Sequence, residues 1–339
     1  MPLPERPVVV IVGATGLVGR ELLALLEERR FPLAEVRLLA SAASAGTMVD
    51  LDGTAHAVEA FDRSAFDGAD LVFFCSSGDH AREHAHAAVE AGALVIDNSS
   101  AYRMDQTVPL VVPEINGDTP EVERARLIAN PNCSTIIALV AVNPIRLAVG
   151  VERMVVSTYQ AASGGGRAMM QMLTDQAHAH ATGGSGEGRP YAFNLFSHDS
   201  PIGIDGQNEE ERKLVRETRR IWNDSEIRIA ATCVRVPVLR AHCESINLTL
   251  RDPLNEDDAR RLLQSAPGVT VLDDRAANRF PEPVTASGGD DVLVGRIRQD
   301  TSQPPGRGLS LFVAGDQLRK GAALNALQIA EQRIAALRG

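Results

Sequence analysis

The chain is poor in cysteine. Its 339 residues hold four, Cys75, Cys133, Cys233 and Cys243, and no two stand in a C-x-x-C pair. A disulfide framework is excluded, and so sparse a set fits a reducing cytoplasm. Long apolar runs are also missing. The run Val8–Val12 meets glycine at once, far short of the about 18 residues a membrane-spanning helix needs. The first residues lack the basic, apolar and small-residue succession of a secretory signal. Basic residues are not in excess: 34 Lys+Arg face 44 Asp+Glu, a net charge of -10. That excludes a general nucleic-acid or anionic-membrane binder, so an anionic substrate must be held by local basic residues. No repeat at a solenoid period occurs. What is present is ordinary, with 44% hydrophobic and 23% charged residues. Such a chain is globular, and its length suggests two domains.

The first half alternates strand and helix patterns. Strands are expected at 8–12, 36–40, 71–75 and 94–97, with helices at 17–29 and 79–91. This alternation implies a doubly wound parallel sheet. From residue 134 to about 148 a long helix is expected. Longer alternating runs follow at 154–161, 227–236, 245–251, 292–298 and 309–314. They suggest a mostly antiparallel sheet in an α+β second domain. The Gly-rich stretch 182–190 reads as a mobile loop, and 320–337 as an apolar-periodic helix.

Gly13-x-x-Gly16-x-x-Gly19 sits between the first strand and the first helix. Glycine there lets the backbone approach a pyrophosphate, and the helix start offers N–H groups and a positive dipole end. The second strand ends in Leu39-Ala40-Ser41-Ala42-Ala43-Ser44-Ala45-Gly46, with no acid for a ribose 2′-hydroxyl. Small hydroxyl residues and N–H groups at that place favour NADP.

Asn130-Pro131-Asn132-Cys133-Ser134-Thr135 stands directly before an apolar helical run. Asn132 is a good N-cap, which puts Cys133 in the first turn, where the dipole stabilises thiolate. That is an activated nucleophile. The other three cysteines read as small core residues. A thiolate needs a proton partner, and His242 is the candidate. It follows Arg235 by an odd interval, so an ideal strand would oppose the two, but Pro237 makes a bend plausible. His80, His84 and His86 on one helix, and His178 and His180, read as solvated faces. The run 209–213 reads as an exposed charged face. No metal is expected.

Together these residues resemble the aspartate-β-semialdehyde dehydrogenase family. The resemblance covers nearly the whole chain. It rests on 13–19, 39–46, 97–104, 112–116, Asn130–Thr135, the Tyr159-Gln160-Ala161-Ala162-Ser163-Gly164-Gly165-Gly166 motif, 234–242 and 315–323. It implies an α/β fold with a Rossmann-like doubly wound parallel-sheet domain and an α+β catalytic and dimerisation domain. The implied boundaries are 1–132 and 133–313, with the C-terminal segment 314–339 returning to the first domain. The implied reaction is NADPH-dependent reductive dephosphorylation of β-aspartyl phosphate, in lysine, threonine and methionine biosynthesis. Cys133 would be the nucleophile, His242 the acid/base and Gln160 an orienting residue. Arg235 would clamp the substrate carboxylate and Glu210 its amino group, with Arg103, Asn132 and Lys213 at the phosphate. The dinucleotide would lie on Gly13, Thr15, Gly16, Leu17, Val18, Ser41, Ser44, Ser77, Gly78, Ser163, Gly164 and Gln317. A cytoplasmic homodimer, or a tetramer built from it, is the implied assembly.

Two positions depart from the family pattern. Ala43 stands where many relatives carry Arg, and Thr47 where Lys is frequent. Both remove partners of a 2′-phosphate, so relaxed NADP/NAD use is expected. An N-acetyl-glutamyl-phosphate reductase typically has Gly before and Tyr after its cysteine. Asn132 and Ser134 argue against it. A silent paralogue acting as a binding protein would tend to lose the cysteine, and Cys133 is retained.

Overall fold

The structure is a computed structural model that describes residues 3–184 and 186–335. The chain divides into two compact units. One is formed by the chain up to Pro131 together with the segment from Ala322 onward, the other by Asn132–Gly321. Asn132 thus begins the second unit, and the return to the first starts at Ala322, later than the 314 expected from sequence.

The first unit holds seven strands: β1 (Val8–Val12), β2 (Glu35–Ala40), β3 (Met48–Leu51), β4 (Thr54–Ala60), β5 (Leu71–Phe74), β6 (Leu94–Asp97) and β7 (Leu127–Ala129). Their order is β3-β4-β2-β1-β5-β6-β7. All pairs are parallel except β3 with β4. The β-branched run of β1 and the wholly apolar run of β5 suit strands buried on both faces. Val9, Ile11, Leu71 and Phe73 pack with Leu22, Leu25 and Leu26 of the helix Leu17–Glu28 and with Leu324 and Leu327 of the helix Leu324–Ala335. The strands β3 and β7 are too short, and β4 alternates too little in hydrophobicity, to be read from sequence alone.

The helix Gly78–Glu90 corrects one expectation. His84 is buried, and His80 is half-buried, so this face is not solvated. The ring of Phe61 covers both, at centroid distances of 4.4 Å to His80 and 4.5 Å to His84. Phe61 follows β4 and reaches the helix only through the sheet order, which sequence periodicity does not report.

The second unit holds β8 (Val151–Gln160), β9 (Phe196–Ser197), β10 (Arg228–Arg235), β11 (His242–Leu250), β12 (Val269–Val271), β13 (Val292–Gln299) and β14 (Gly308–Gly315). Their order is β12-β13-β14-β11-β8-β10-β9. The pairs β13–β14, β14–β11, β11–β8 and β10–β9 are antiparallel, while β8–β10 and β12–β13 are parallel. A parallel β8–β10 pair needs a long crossover. The helices Arg167–Ala181 and Glu209–Ile221 supply it. Of the expected loop 182–190, Ser185 lies outside the described residues, and the end of the stretch is held in place. The buried Gln176 donates to Glu187 O and Arg189 O and accepts from the backbone N–H groups of Tyr191 and Ala192. Every polar atom of that amide is satisfied, which ties 187–192 to the helix that carries Gln176. No described helix is long and apolar enough to cross a membrane.

Candidate active site

The dinucleotide site is built on the end of β1. Gly13 has φ +92°, and a Cβ there would lie 2.6 Å from Cys75 O. Only glycine fits that turn. The helix that follows has Gly16 as N-cap with no side-chain capping bond, so its first N–H groups are not taken by a cap. Thr15 and Leu17–Val18 flank that turn. This cradle fits a pyrophosphate. At the end of β2, Ser41 leads the turn Ala42–Ser44 without a side-chain cap, and Ser44 O accepts from the Thr47 hydroxyl. No carboxylate occupies 40–47, as NADP requires more than NAD does. Ser77 caps its helix by accepting from His80 N–H, and Gly78 is that helix's first residue. Arg103, in the same unit, is buried and donates to Asn130 O and Asn98 O, both at 2.9 Å.

The second unit gathers most of the remaining candidates. Cys133 is the first residue of the helix Cys133–Val149. Asn132 caps it, its side-chain oxygen accepting from the N–H groups of Ser134 at 3.0 Å and Thr135 at 3.2 Å. The same side chain donates to Glu210 Oε1 at 2.8 Å, while the Asn132 backbone N–H donates to Glu217 Oε2 at 2.6 Å. Gln160 Nε2 donates to Ser134 Oγ and Glu210 Oε1, each at 3.0 Å. Lys213 Nζ reaches Glu210 Oε2 at 3.2 Å. The supposed exposed run is therefore a helix with one inward face: Glu210, Leu214, Glu217, Thr218 and Ile221 are buried. Burial opposes the charge of Glu210. Lys213, His198 and the bonds from Asn132 and Gln160 outweigh it and hold the carboxyl at about 2.

Arg235 and His242 do converge, and not along one strand. Arg235 ends β10 opposite Gln160, and His242 opens β11. The chain between them turns at Ala241, whose φ is +71°. Both then meet Ala161: His242 Nδ1 accepts from Ala161 N–H at 3.0 Å, and Arg235 Nη1 donates to Ala161 O at 3.3 Å. Because Nδ1 accepts, the neutral ring carries its proton on Nε2. That nitrogen has no hydrogen-bond partner among the described residues. Burial, then Arg235, push the His242 pKa down to about 3, so the ring is neutral at working pH.

Gly164 keeps open the space in front of both groups. A Cβ there would meet Arg235 Nη1 at 2.9 Å and His242 Nε2 at 3.0 Å. Gly164→Ala is expected to lower kcat/KM by about 10- to 100-fold, since a displaced acid or clamp costs that much. Steady-state kinetics check this. Ser163 Oγ accepts from Gln317 Nε2, and Gln317 Oε1 accepts from Ala241 N–H at 2.8 Å, so Gln317 braces the turn beside His242. Gly321 lies against Cys133, where a Cβ would be 2.9 Å from Cys133 Cβ.

Sequence reasoning missed His198, Asp199, Ser134 and Glu217, which join this cluster. For Glu217 a signal existed: it stands seven residues from Glu210, on the same helical face. No group of three or more His, Cys, Asp and Glu side chains among the described residues is arranged to hold a metal.

Comparison with known proteins shows the family. A profile described as semialdehyde dehydrogenase, dimerisation domain, matches residues 142–320, and one described as semialdehyde dehydrogenase, NAD binding domain, matches 8–122. The aspartate-semialdehyde dehydrogenase of Synechocystis sp. is 50% identical over 335 residues, 98% of this chain and 98% of that protein. The Bacillus subtilis protein of that name is 41% identical over 335 residues, covering 95% and 96%. A crystal structure of aspartate semialdehyde dehydrogenase II from Vibrio cholerae is 40% identical, with a TM-score of 0.93 over 97% of this chain and 99% of that one. The chain belongs to the aspartate-semialdehyde dehydrogenase family.

Proposed function

We propose that this chain catalyses the reductive dephosphorylation of β-aspartyl phosphate by NADPH, yielding aspartate semialdehyde, NADP and phosphate. The observation that carries the reading is the placement of Cys133 at a capped helix start, with Asn132 and Gln160 both bonded to the anionic Glu210. The Cys133 thiolate attacks the acyl phosphate, the C–S bond forms and the phosphate leaves. Lys213 and Asn132 receive the leaving group; the part the resemblance gives to Arg103 rests on that resemblance. NADPH, when bound, would supply the hydride that reduces the thioester; the C–S bond then breaks, the aldehyde is released and the Cys133 thiolate returns. The carbonyl oxygen takes negative charge at each addition, and N–H donors at a helix start, with the His242 Nε2 proton, suit it. Gln160, fixed on Ser134 and Glu210, sets the frame in which the thiolate works. Arg235 binds the substrate carboxylate through its planar fork. Glu210 attracts the ammonium group. The protein works as a homodimer in the cytoplasm, with residues 142–320 supplying the subunit contact.

The test is phosphate-dependent NADP reduction with aspartate semialdehyde beside N-acetylglutamate semialdehyde. Turnover of the first alone is expected, because an acetylated amino group carries no charge for Glu210. Preference for the second overturns the reading. An NAD arm of the same assay measures how far Ala43 and Thr47 relax cofactor choice.

A further inference from the structure

The turn His198–Asp199–Ser200 belongs to no motif read from the sequence, yet it touches both residues assigned to the substrate's carboxylate and amino groups, Arg235 and Glu210. The two-residue strand β9 pairs with Val234 and Arg235 of β10, and His198 N–H continues that pairing to Cys233 O at 2.9 Å. The chain then turns across the end of the sheet. Asp199 Oδ1 accepts from Arg235 Nε at 2.9 Å. Ser200 Oγ accepts from the Glu210 backbone N–H at 3.2 Å and bonds His198 Nδ1 at 3.0 Å. His198 Nδ1 also accepts from Ser200 N–H at 3.2 Å, which closes the turn on itself.

We propose that this turn is a positioning element for substrate recognition: Asp199 sets the plane of the Arg235 guanidinium, and Ser200 holds the start of the helix that carries Glu210. A guanidinium recognises a carboxylate by direction, because its donors lie in one plane. Arg235 is almost wholly buried, 4% exposed at the side chain against 40% for Asp199. Its Nε is fixed on Asp199 and its Nη1 on Ala161 O, and two bonds to one planar group leave it no rotation. The remaining Nη donors then point as one rigid unit. The inference rests on Arg235 as the carboxylate clamp.

A carboxylate beside a clamp also has an opposite effect, since its charge weakens the clamp's attraction for a substrate anion. The two effects separate by substitution. Asp199→Ala removes both position and charge, whereas Asp199→Asn removes the charge and keeps an oxygen for Nε. If position governs, Asp199→Ala raises the KM for aspartate semialdehyde about 10-fold or more, as loss of a charge-assisted bond does. The kcat should fall far less, the KM for NADP should hold, and Asp199→Asn should recover most of the loss. A KM that falls or stays unchanged in Asp199→Ala overturns the proposal. So does an equal loss of kcat and all KM values with a lowered melting temperature, which marks a fold defect. Arg235→Lys is measured alongside. If it raises the aspartate semialdehyde KM while Asp199→Ala does not, the turn alone has failed. If Arg235→Lys changes nothing, the clamp assignment has failed and the proposal falls with it.

Discussion

Cys133→Ala should reduce turnover by about 10⁴-fold or more, the scale seen when a covalent nucleophile is removed. The substitution deletes one sulfur from the first residue of the helix Cys133–Val149. It leaves the Asn132 cap, whose oxygen bonds the N–H groups of Ser134 and Thr135, untouched. The melting temperature and the binding of NADP should therefore stay close to the parent values, and turnover alone should vanish. Alkylation of the parent supplies an independent measure. Burial pushes the thiols of Cys75 and Cys243 up to about 12 and raises that of Cys233 as well, so all three are protonated at neutral pH. Alkylation should then report on Cys133 first, and its rate should follow the loss of activity one for one. Turnover that survives in Cys133→Ala ends the nucleophile assignment.

The parts of this site that sequence exposes are those where one local signal suffices. Gly13 announces a turn because no other residue tolerates its backbone, and Asn132 announces a helix start because its side chain bonds the next turn. The pairing of Arg235 with His242 carries no such signal. Their separation contradicts a continuous strand, and the two meet only because β8 lies between β10 and β11 and the residue after it, Ala161, offers its N–H to His242 and its C=O to Arg235. Sheet order is a long-range property, so spacing along the chain cannot report it. The same applies to β9, which is two residues long and is defined by its partner β10 rather than by any pattern of its own. Glu210 and Glu217 stand between these cases. Their burial follows the helical repeat of Leu214, Thr218 and Ile221, but a run so rich in charge reads as a solvated surface until the neighbours that neutralise it are known.

Replacing Glu244 by Gln should make the protein more stable, increasingly so as the pH rises. His242, Glu244, Ile246 and Leu248 share one buried face of β11. Strand alternation thus carries a carboxyl group inward beside His242. Glu244 is wholly buried, and neither of its oxygens has a hydrogen-bond partner among the described residues. Burial alone raises its pKa well above the ordinary value. The folded state therefore keeps a proton that the unfolded chain gives up near pH 4.3. Wherever the folded state binds more protons, stability falls as pH rises, by about 1.4 kcal/mol per pH unit for one group. His242 acts in the opposite sense. Its folded pKa is about 3, against 6.5 for the ordinary ring, so its contribution rises with pH across that interval and is complete above it. Burial also lowers the pKa of His80 and His198 and raises that of Asp97, so the parent's own curve mixes several groups. Beyond about pH 8.5 the buried thiols add a slope of the same sign as Glu244. The comparison with Glu244→Gln isolates Glu244, because every other titrating group is common to the two proteins. Above about pH 4.3 the parent should lose stability relative to Glu244→Gln, which keeps the shape and has no proton to lose, until Glu244 ionises in the folded state. Denaturant unfolding of both proteins at several pH values measures the difference. Curves that run parallel from about pH 4.3 upward would show that Glu244 ionises in the folded protein as it does in the unfolded chain, against the burial that the sheet imposes on it.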